Sequence, residues 1–318
     1  MLIVQKFGGS SLAGAERLRR AASIIADSAD AGNKVVAVVS ARGDTTDELL
    51  GQARRISADP PVRELDALLS CGETGAAAMT AMQLADIGKR CVSLTGAQAG
   101  ILTDGVHGAA RILSIDTERI MRELDAGKIV VAAGFQGAER GGDTTTLGRG
   151  GSDTTAVELA AALKADRCEI YSDVDGIYTA DPRLVTGAVR LDSIDYGDML
   201  HLALHGSQVL HSRSVEAAMR ANVRVHLLSS FTRHEGTVMC KLDDRSGLCG
   251  VTRDPSLCTV SIIGREADAH VLAEAVAALA HSDIIVTRTE LFDGGCSLFV
   301  SPDRLLPALE ITHRRFFR

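Results

Sequence analysis

The sequence predicts an α/β fold, in which a mainly parallel open sheet is covered by helices on both faces and is followed by a smaller α+β region. Three observations lead there. Short, continuously apolar runs such as 34–40 (KVVAVVS) alternate with longer helical patterns. These runs lack the every-second-residue alternation of a sheet with one wet face, so both faces must be covered. Glycine-rich turns follow several of them, which favours ligands along the carboxyl edge of the sheet.

In chain order, residues 2–5 read as a buried strand that runs into KFGGSS (6–11) and a helix at about 15–29. The run 34–40 is the second strand, and helical patterns follow at about 46–57 and 61–69. Gly72 reads as a turn, after which 74–87 is a further helix and 91–94 a strand. IVVAA (129–133) leads into GFQG, LGRGGSD (147–153) opens an alanine-rich helix, and 169–172 is a strand before the acidic turn DVDG (173–176). A polar run near 240–247 marks a boundary. Beyond it come a strand at 258–263, a helix at 268–281, strands at 284–289 and 297–301 joined by the turn DGG, and a last helix at 304–316. This βαββα order fits an α+β module of about 70 residues.

At 46% hydrophobic and 24% charged, the 318 residues have the make-up of an ordinary soluble protein of one large or two ordinary domains. A net charge of -7, 3% aromatic residues and no Trp argue against a nucleic-acid surface, which needs a basic face and stacking rings. Met1 leads into an apolar strand without the features of a leader, and no apolar run approaches the roughly 18 residues that span a bilayer. The seven cysteines are scattered without a CxxC pair, which fits reduced thiols. A cytoplasmic protein with no membrane or nucleic-acid partner is expected.

The stretch 144–182 carries the most chemistry. Gly148, Gly150 and Gly151 let the backbone approach a ligand closely. Arg149 offers a forked cation for a carboxylate or phosphate, and Asp153 an anion for an ammonium group. Both charges at a helix entrance suggest a clamp for a zwitterion beside a phosphate. In KFGGSS, Lys6 suits a point charge on a transferring phosphoryl group, or a surface lysine on a tight strand-to-helix turn. The motif matches neither GxxxxGK[ST] nor GxGxxG, which disfavours P-loop and dinucleotide-binding sites.

Other residues also carry two readings. Thr46 could bind a ligand, although capping a helix is the better reading for one of Thr45 and Thr46. Glu73, placed at the start of an alanine-rich helix, serves the helix dipole or touches substrate. The acidic turn holds Asp173, which is solvated or helps a ribose or Mg²⁺, while Tyr178 and Arg183 could flank a base or phosphate. An EF-hand is excluded by the spacing. His201, His205 and His211 form no HExxH pattern, and structural roles are favoured for them.

KFGGSS, VVSARGDTTDELL, RELDALLSCGE, SLTGAQAGILTD, GFQG, TTLGRGGSDTTA and YSDVDGIYTADPRLV, in that order over residues 1–240, resemble the aspartate kinases of the amino-acid kinase superfamily. The resemblance implies the αβα sandwich of the amino-acid kinase fold over 1–240. It also implies an ACT-like, ferredoxin-like module over 247–318, read here as single and atypical. The implied reaction makes 4-phospho-L-aspartate from L-aspartate and ATP with Mg²⁺, toward lysine, threonine and methionine, in a homodimer. It raises Lys6, Arg149 and Asp153 to catalytic candidates. Thr46, Glu73, Arg149, Ser152 and Asp153 become the L-aspartate site, and Lys6, Gly8, Gly9, Ser10, Ser172, Asp173, Tyr178, Arg183 and Gln208 the ATP site. No metal ligand is assigned.

The chain departs from the family's pattern in places. The family's GAKVLHP reads GSQVLHS at 206–212, so Gln208 replaces a lysine and Ser212 a proline. Ser10 stands where Thr is commoner. SIIGREADAH lacks the glycine-proline effector loop, from which weak or absent inhibition by lysine or threonine is expected. Three classes remain: an aspartate kinase, a related kinase for another acidic substrate in a specialised pathway, and a non-catalytic regulatory subunit. Retention of Lys6, Glu73, Arg149 and Asp153 disfavours the last.

Overall fold

The computed structural model describes residues 1–232, 234–243 and 247–317. The predicted boundary at 240–247 therefore falls partly, at 244–246, outside the described residues. The elements run β1 (Leu2–Phe7), α1 (Gly9–Leu12), α2 (Gly14–Asp30), β2 (Lys34–Val39), α3 (Thr45–Ile56), α4 (Val62–Asp86), β3 (Cys91–Leu94), β4 (Ile101–Thr103) and β5 (Ile112–Ile115). Next come α5 (Glu118–Asp125), β6 (Ile129–Ala133), β7 (Gln136–Ala138), β8 (Thr144–Thr146), α6 (Gly151–Ala162), β9 (Arg167–Ser172), β10 (Ser193–Ile194), α7 (Tyr196–Leu204), α8 (Ser212–Ala221), β11 (Val225–Ser229) and β12 (Thr237–Met239). The C-terminal part adds β13 (Leu248–Asp254), β14 (Thr259–Gly264), α9 (Ala269–Ala280), β15 (Arg288–Phe292), β16 (Gly295–Phe299) and α10 (Leu305–Phe316). Two compact units emerge: Met1–Asp175 with Arg220–His234, and Gly176–Met219 with Glu235–Arg318.

The first unit holds parallel strands in the order β11-β9-β1-β2-β6-β3. Their side chains alternate between two covered faces, which is why the strands are apolar throughout. Phe7, Val35, Ala37, Val39 and Val131 pack with Leu18, Ala22 and Ile25 of α2 and Ala76, Ala77 and Leu84 of α4. The alternate residue Lys6 instead reaches Asp153 on α6. This is the predicted αβα sandwich. A smaller sheet, β5-β4-β7-β8, also belongs to this unit, and its three- and four-residue strands are too short for the sequence pattern to register.

Gly72 does not break the chain, contrary to expectation. Helix α4 runs unbroken for 25 residues, with Gly72 buried in its middle. A Cβ at that position would stand 2.9 Å from the Cβ of Ala41, so this glycine serves close packing rather than a turn.

In the second unit, β13-β14-β16-β15 form an antiparallel sheet packed against α9 and α10. The predicted βαββα order becomes ββαββα, because β13 precedes the first predicted strand. The hairpin turns at Asp293 and Gly294, the latter with φ 85, as the DGG motif requires. Its first strand begins only at Arg288, so residues 284–287 are not part of it. Among the described residues no helix is long and apolar enough to cross a membrane.

Candidate active site

The turns that leave the parallel strands continue the ladder by one further hydrogen bond each. Gly8 N donates to Tyr171 O (3.2 Å), Ser40 N to Phe7 O (3.1 Å), Gly134 N to Val39 O (2.9 Å) and Ser230 N to Ser172 O (2.9 Å). The carboxyl edge of the sheet is thereby a rigid platform, where α/β sheets hold their ligands.

Lys6 is 8% exposed, which removes the surface-lysine reading. Its Nζ lies 2.6 Å from Asp153 Oδ1, on a carboxylate in the first turn of α6. A buried ammonium needs such a partner, because leaving it bare in a dry site is costly. A Cβ on Gly8 would stand 3.6 Å from Lys6 Nζ, in the space beside the ammonium. One on Gly9 would meet Ala41 O at 2.6 Å, so only glycine fits there. Ser10 is half-buried in α1, and its neighbour Ser11 accepts a hydrogen bond from Ser230 Oγ (2.8 Å).

Arg149 is exposed between Gly148 (φ 74) and Gly150 (φ 70), two left-handed residues that turn the chain into α6. Ser152, 8% exposed, sits in the first turn of that helix; a Cβ on Gly134 would press on its side chain at 2.8 Å. Amide hydrogens at such a helix entrance favour anionic groups.

Glu73 is not at a helix start. It lies in the middle of α4, 3% exposed, where the helix dipole offers it nothing. Its Oε1 accepts from Ala41 N (3.1 Å), and its buried Oε2 has no hydrogen-bond partner among the described residues. Burial pushes this carboxyl up to about 7, against the opposing pull of the Ala41 amide. A buried, half-satisfied carboxylate is a socket for a cation. The capping expectation nearby fails as well: Asp44 is the N-cap of α3, Thr45 Oγ1 donates to Arg42 O (2.7 Å), and Thr46 is half-buried in the first turn.

At the end of β9, Ser172 Oγ donates to Val174 O (3.2 Å), and Asp173 is exposed. The remaining nucleotide candidates belong to the second unit. Tyr178 pairs with Arg190 in an isolated bridge, and Gln208 is exposed in the loop after α7. Arg183 donates to Asp181 through Nε (3.0 Å) and Nη2 (2.8 Å), which holds the Asp181 carboxyl below its usual range. The structure thus brings Lys6, Gly8 and Asp153 together and seats Glu73 against the loop after β2. His205 stacks on Phe292 (4.2 Å between ring centroids), a packing role. Among the described residues no three His, Cys, Asp or Glu side chains converge as a metal cage.

Sequence reasoning passed over Asp66, which is 1% exposed, and Gln136, which donates through Nε2 to Ser70 O (2.9 Å). Splitting α4 at Gly72 hid the signal. In one continuous helix, Asp66, Ser70 and Glu73 stand at i, i+4 and i+7 and share a face.

Comparison with known proteins agrees with this geometry. The model of the amino acid kinase family matches residues 1–229. The aspartokinase of Mycolicibacterium smegmatis is 48% identical over 290 residues, covering 89% of this chain and 69% of that protein. That of Bacillus sp. (strain MGA3) is 49% identical, covering 83% of this chain and 65% of its own length. Among solved structures, aspartate kinase from Synechocystis superposes with a TM-score of 0.70 at 36% identity, over 99% of this chain but 55% of that one. E. coli aspartokinase III in complex with aspartate and ADP gives 0.72 at 25% identity, over 98% and 84%. With its parallel sheet, its lysine-bearing glycine turn and these matches, the chain belongs to the amino acid kinase family, among the aspartokinases.

Proposed function

We propose that this chain is an aspartate kinase, transferring the γ-phosphoryl group of ATP to the β-carboxylate of L-aspartate. One observation carries the reading. A buried Lys6–Asp153 pair beside the Gly8 turn shares the first unit with Glu73, a buried carboxylate with one oxygen that has no hydrogen-bond partner among the described residues. These are the groups needed for a phosphate and for the ammonium of an amino acid. E. coli aspartokinase III is solved with aspartate and ADP, which supports a site for an amino acid beside one for an adenine nucleotide.

The chemistry asks for little beyond positioning. The β-carboxylate of aspartate, with an ordinary pKa near 3.9, is already an anion at neutral pH and needs no general base. One of its oxygens attacks the γ-phosphorus as the bond to the bridging oxygen of ADP breaks, giving an acyl phosphate and ADP. The obstacle is the approach of two anions, and fixed positive charge relieves it. Lys6, with the Gly8 and Gly9 amides, holds the transferring group, and Asp153 keeps the Lys6 ammonium in place. Arg149 clamps a substrate carboxylate. Glu73 takes the ammonium, and Thr46 and Ser152 fix orientation. Ser10, Ser172, Asp173, Tyr178, Arg183 and Gln208 serve the nucleotide. Mg²⁺ fits as a passenger on the triphosphate rather than in a protein cage, as is usual for this ion, and it supplies charge neutralisation when bound.

Residues 1–240 form the catalytic region in this reading and 247–318 the ACT-like module, with a weak response to lysine or threonine. The reading places the protein in the cytoplasm as a homodimer built through that module, and the exposure of β15 from Arg288 to Leu291, with Leu291 53% exposed, supports the dimer. A hydroxamate assay with ATP and L-aspartate, L-glutamate or no acceptor tests the activity. Product with aspartate alone is expected; equal product with glutamate, or none with either, overturns the reading.

A further inference from the structure

We infer that Asp66 is a positioning residue for substrate, setting the loop that carries Arg149 at a fixed spacing from Glu73. The inference rests on the aspartate-kinase reading above.

Asp66 lies on α4 and is 1% exposed. Its carboxylate accepts from Thr146 N (3.1 Å), Thr146 Oγ1 (2.5 Å), Gly108 N (3.0 Å) and His107 Nδ1 (2.9 Å). Thr146, itself 1% exposed, ends β8 and stands three residues before Arg149. Its carbonyl is held in turn by Ala110 N (2.9 Å), and the next residue, Leu147, donates to Phe135 O (2.8 Å). The peptide units entering the Arg149 loop are therefore tied on several sides, and one of those ties is a buried carboxylate.

The other end of the same helix face explains what the tie is for. Asp66, Ser70 and Glu73 follow one another at i, i+4 and i+7. Asp66 holds Thr146, the Ser70 carbonyl accepts from Gln136 on β7 (2.9 Å), and Glu73 holds the Ala41 amide (3.1 Å). Seven residues of helix rise about 10 Å. One rigid helix thus spaces the group that takes an ammonium from the loop whose arginine takes a carboxylate. A carboxylate is needed at position 66 because it can only accept, and all four of its partners donate. An amide would turn its NH₂ toward at least one donor.

Four variants separate positioning from plain structural support: Asp66→Asn, Thr146→Val, Thr146→Ser and His107→Gln. Each is measured for melting temperature, kcat, and KM for aspartate and for ATP. Thr146→Val keeps shape and backbone but loses one hydrogen bond, so aspartate KM is expected to rise about 5- to 10-fold, with ATP KM within about twofold. Thr146→Ser restores the hydroxyl and is expected to restore the wild-type aspartate KM. Asp66→Asn is expected to raise aspartate KM more than Thr146→Val does. His107→Gln, which breaks a tie that does not lead to Arg149, is expected to leave both KM values unchanged. The inference is overturned if Thr146→Val lowers melting temperature without moving aspartate KM, if it raises both KM values together, or if His107→Gln matches it. Failure of the wild type to use aspartate would overturn the kinase reading and this inference with it; normal wild-type turnover with no KM shift overturns this inference alone.

Discussion

Buried polar groups differ between the first compact unit and the C-terminal sheet module. The first unit buries Lys6, Asp66, Glu73, Glu123 and Glu169. Among the described residues of 247–317, the buried polar side chains are Thr259, Ser261, Ser297, Thr312 and His313. None is a carboxylate, lysine or arginine, and burial lowers the pKa of His313 by disfavouring its charged form. Ser261 and Ser297 satisfy each other at 2.7 Å across β14 and β16. Burying a charge costs far more than burying a hydroxyl, so a fold that does so repeatedly in one region needs a compensating use for it. The contrast supports the proposed placement of the chemistry outside the sheet module.

The comparison can be broken at its strongest point. Removing the Lys6 ammonium by Lys6→Ala is expected to lower kcat by about 10²- to 10³-fold, with little change in aspartate KM. Steady-state kinetics at saturating ATP would show this, and a small loss in kcat would strip the buried pair of its assigned role. Arg149→Ala comes next. Loss of a charge-assisted contact is expected to raise aspartate KM by roughly 10- to 100-fold, with kcat less affected.

Glu73 sharpens the contrast through pH. Its carboxyl is pushed up to about 7 by burial. Below the ordinary carboxylate range both the folded and unfolded chains carry the proton and there is no cost. As pH rises toward 7 the unfolded chain ionises first, so the native state loses stability across that window, and the penalty is complete above 7. Glu73→Gln is therefore expected to stabilise the ligand-free protein above pH 7 by roughly 3 kcal/mol, an effect that vanishes near pH 4. Denaturant titrations at the two pH values measure it. Aspartate binding needs the ionised form, so aspartate KM should rise about tenfold per unit as pH falls below 7 in the wild type. A flat profile would argue against contact with the ammonium.

The smallest effect belongs to the module. Replacing Ser261 and Ser297 together by Ala removes both partners of one hydrogen bond, and stability should change by no more than about 1 kcal/mol, with kinetics untouched. Either single substitution leaves a buried hydroxyl unpaired and should cost more than the double one, which thermal melts can rank.

Much of this molecule was legible as pattern. The two-sided apolar strands Leu2–Phe7, Lys34–Val39 and Ile129–Ala133 follow directly from local composition, and so do the left-handed glycines around Arg149. Arg149 and Asp153 were readable as opposite charges among glycines at a helix entrance, whereas Lys6 rose above a surface lysine only through the family resemblance. Gly72 was misread because its role depends on Ala41, distant in sequence, and local rules treat an unexplained glycine as a turn. Glu73 was named for the wrong reason, since its meaning lies in an oxygen left without a partner.

The sequence by itself determined the fold class and the family and named the candidates for the site, because periodicity and motif order are local properties of the chain. Tertiary structure decided which charges are buried, that Lys6 is paired while one Glu73 oxygen has no partner among the described residues, and that Asp66 is tied to Thr146. Those are facts of desolvation and of contact across 80 residues of chain in the case of Asp66 and Thr146, and no local pattern encodes them.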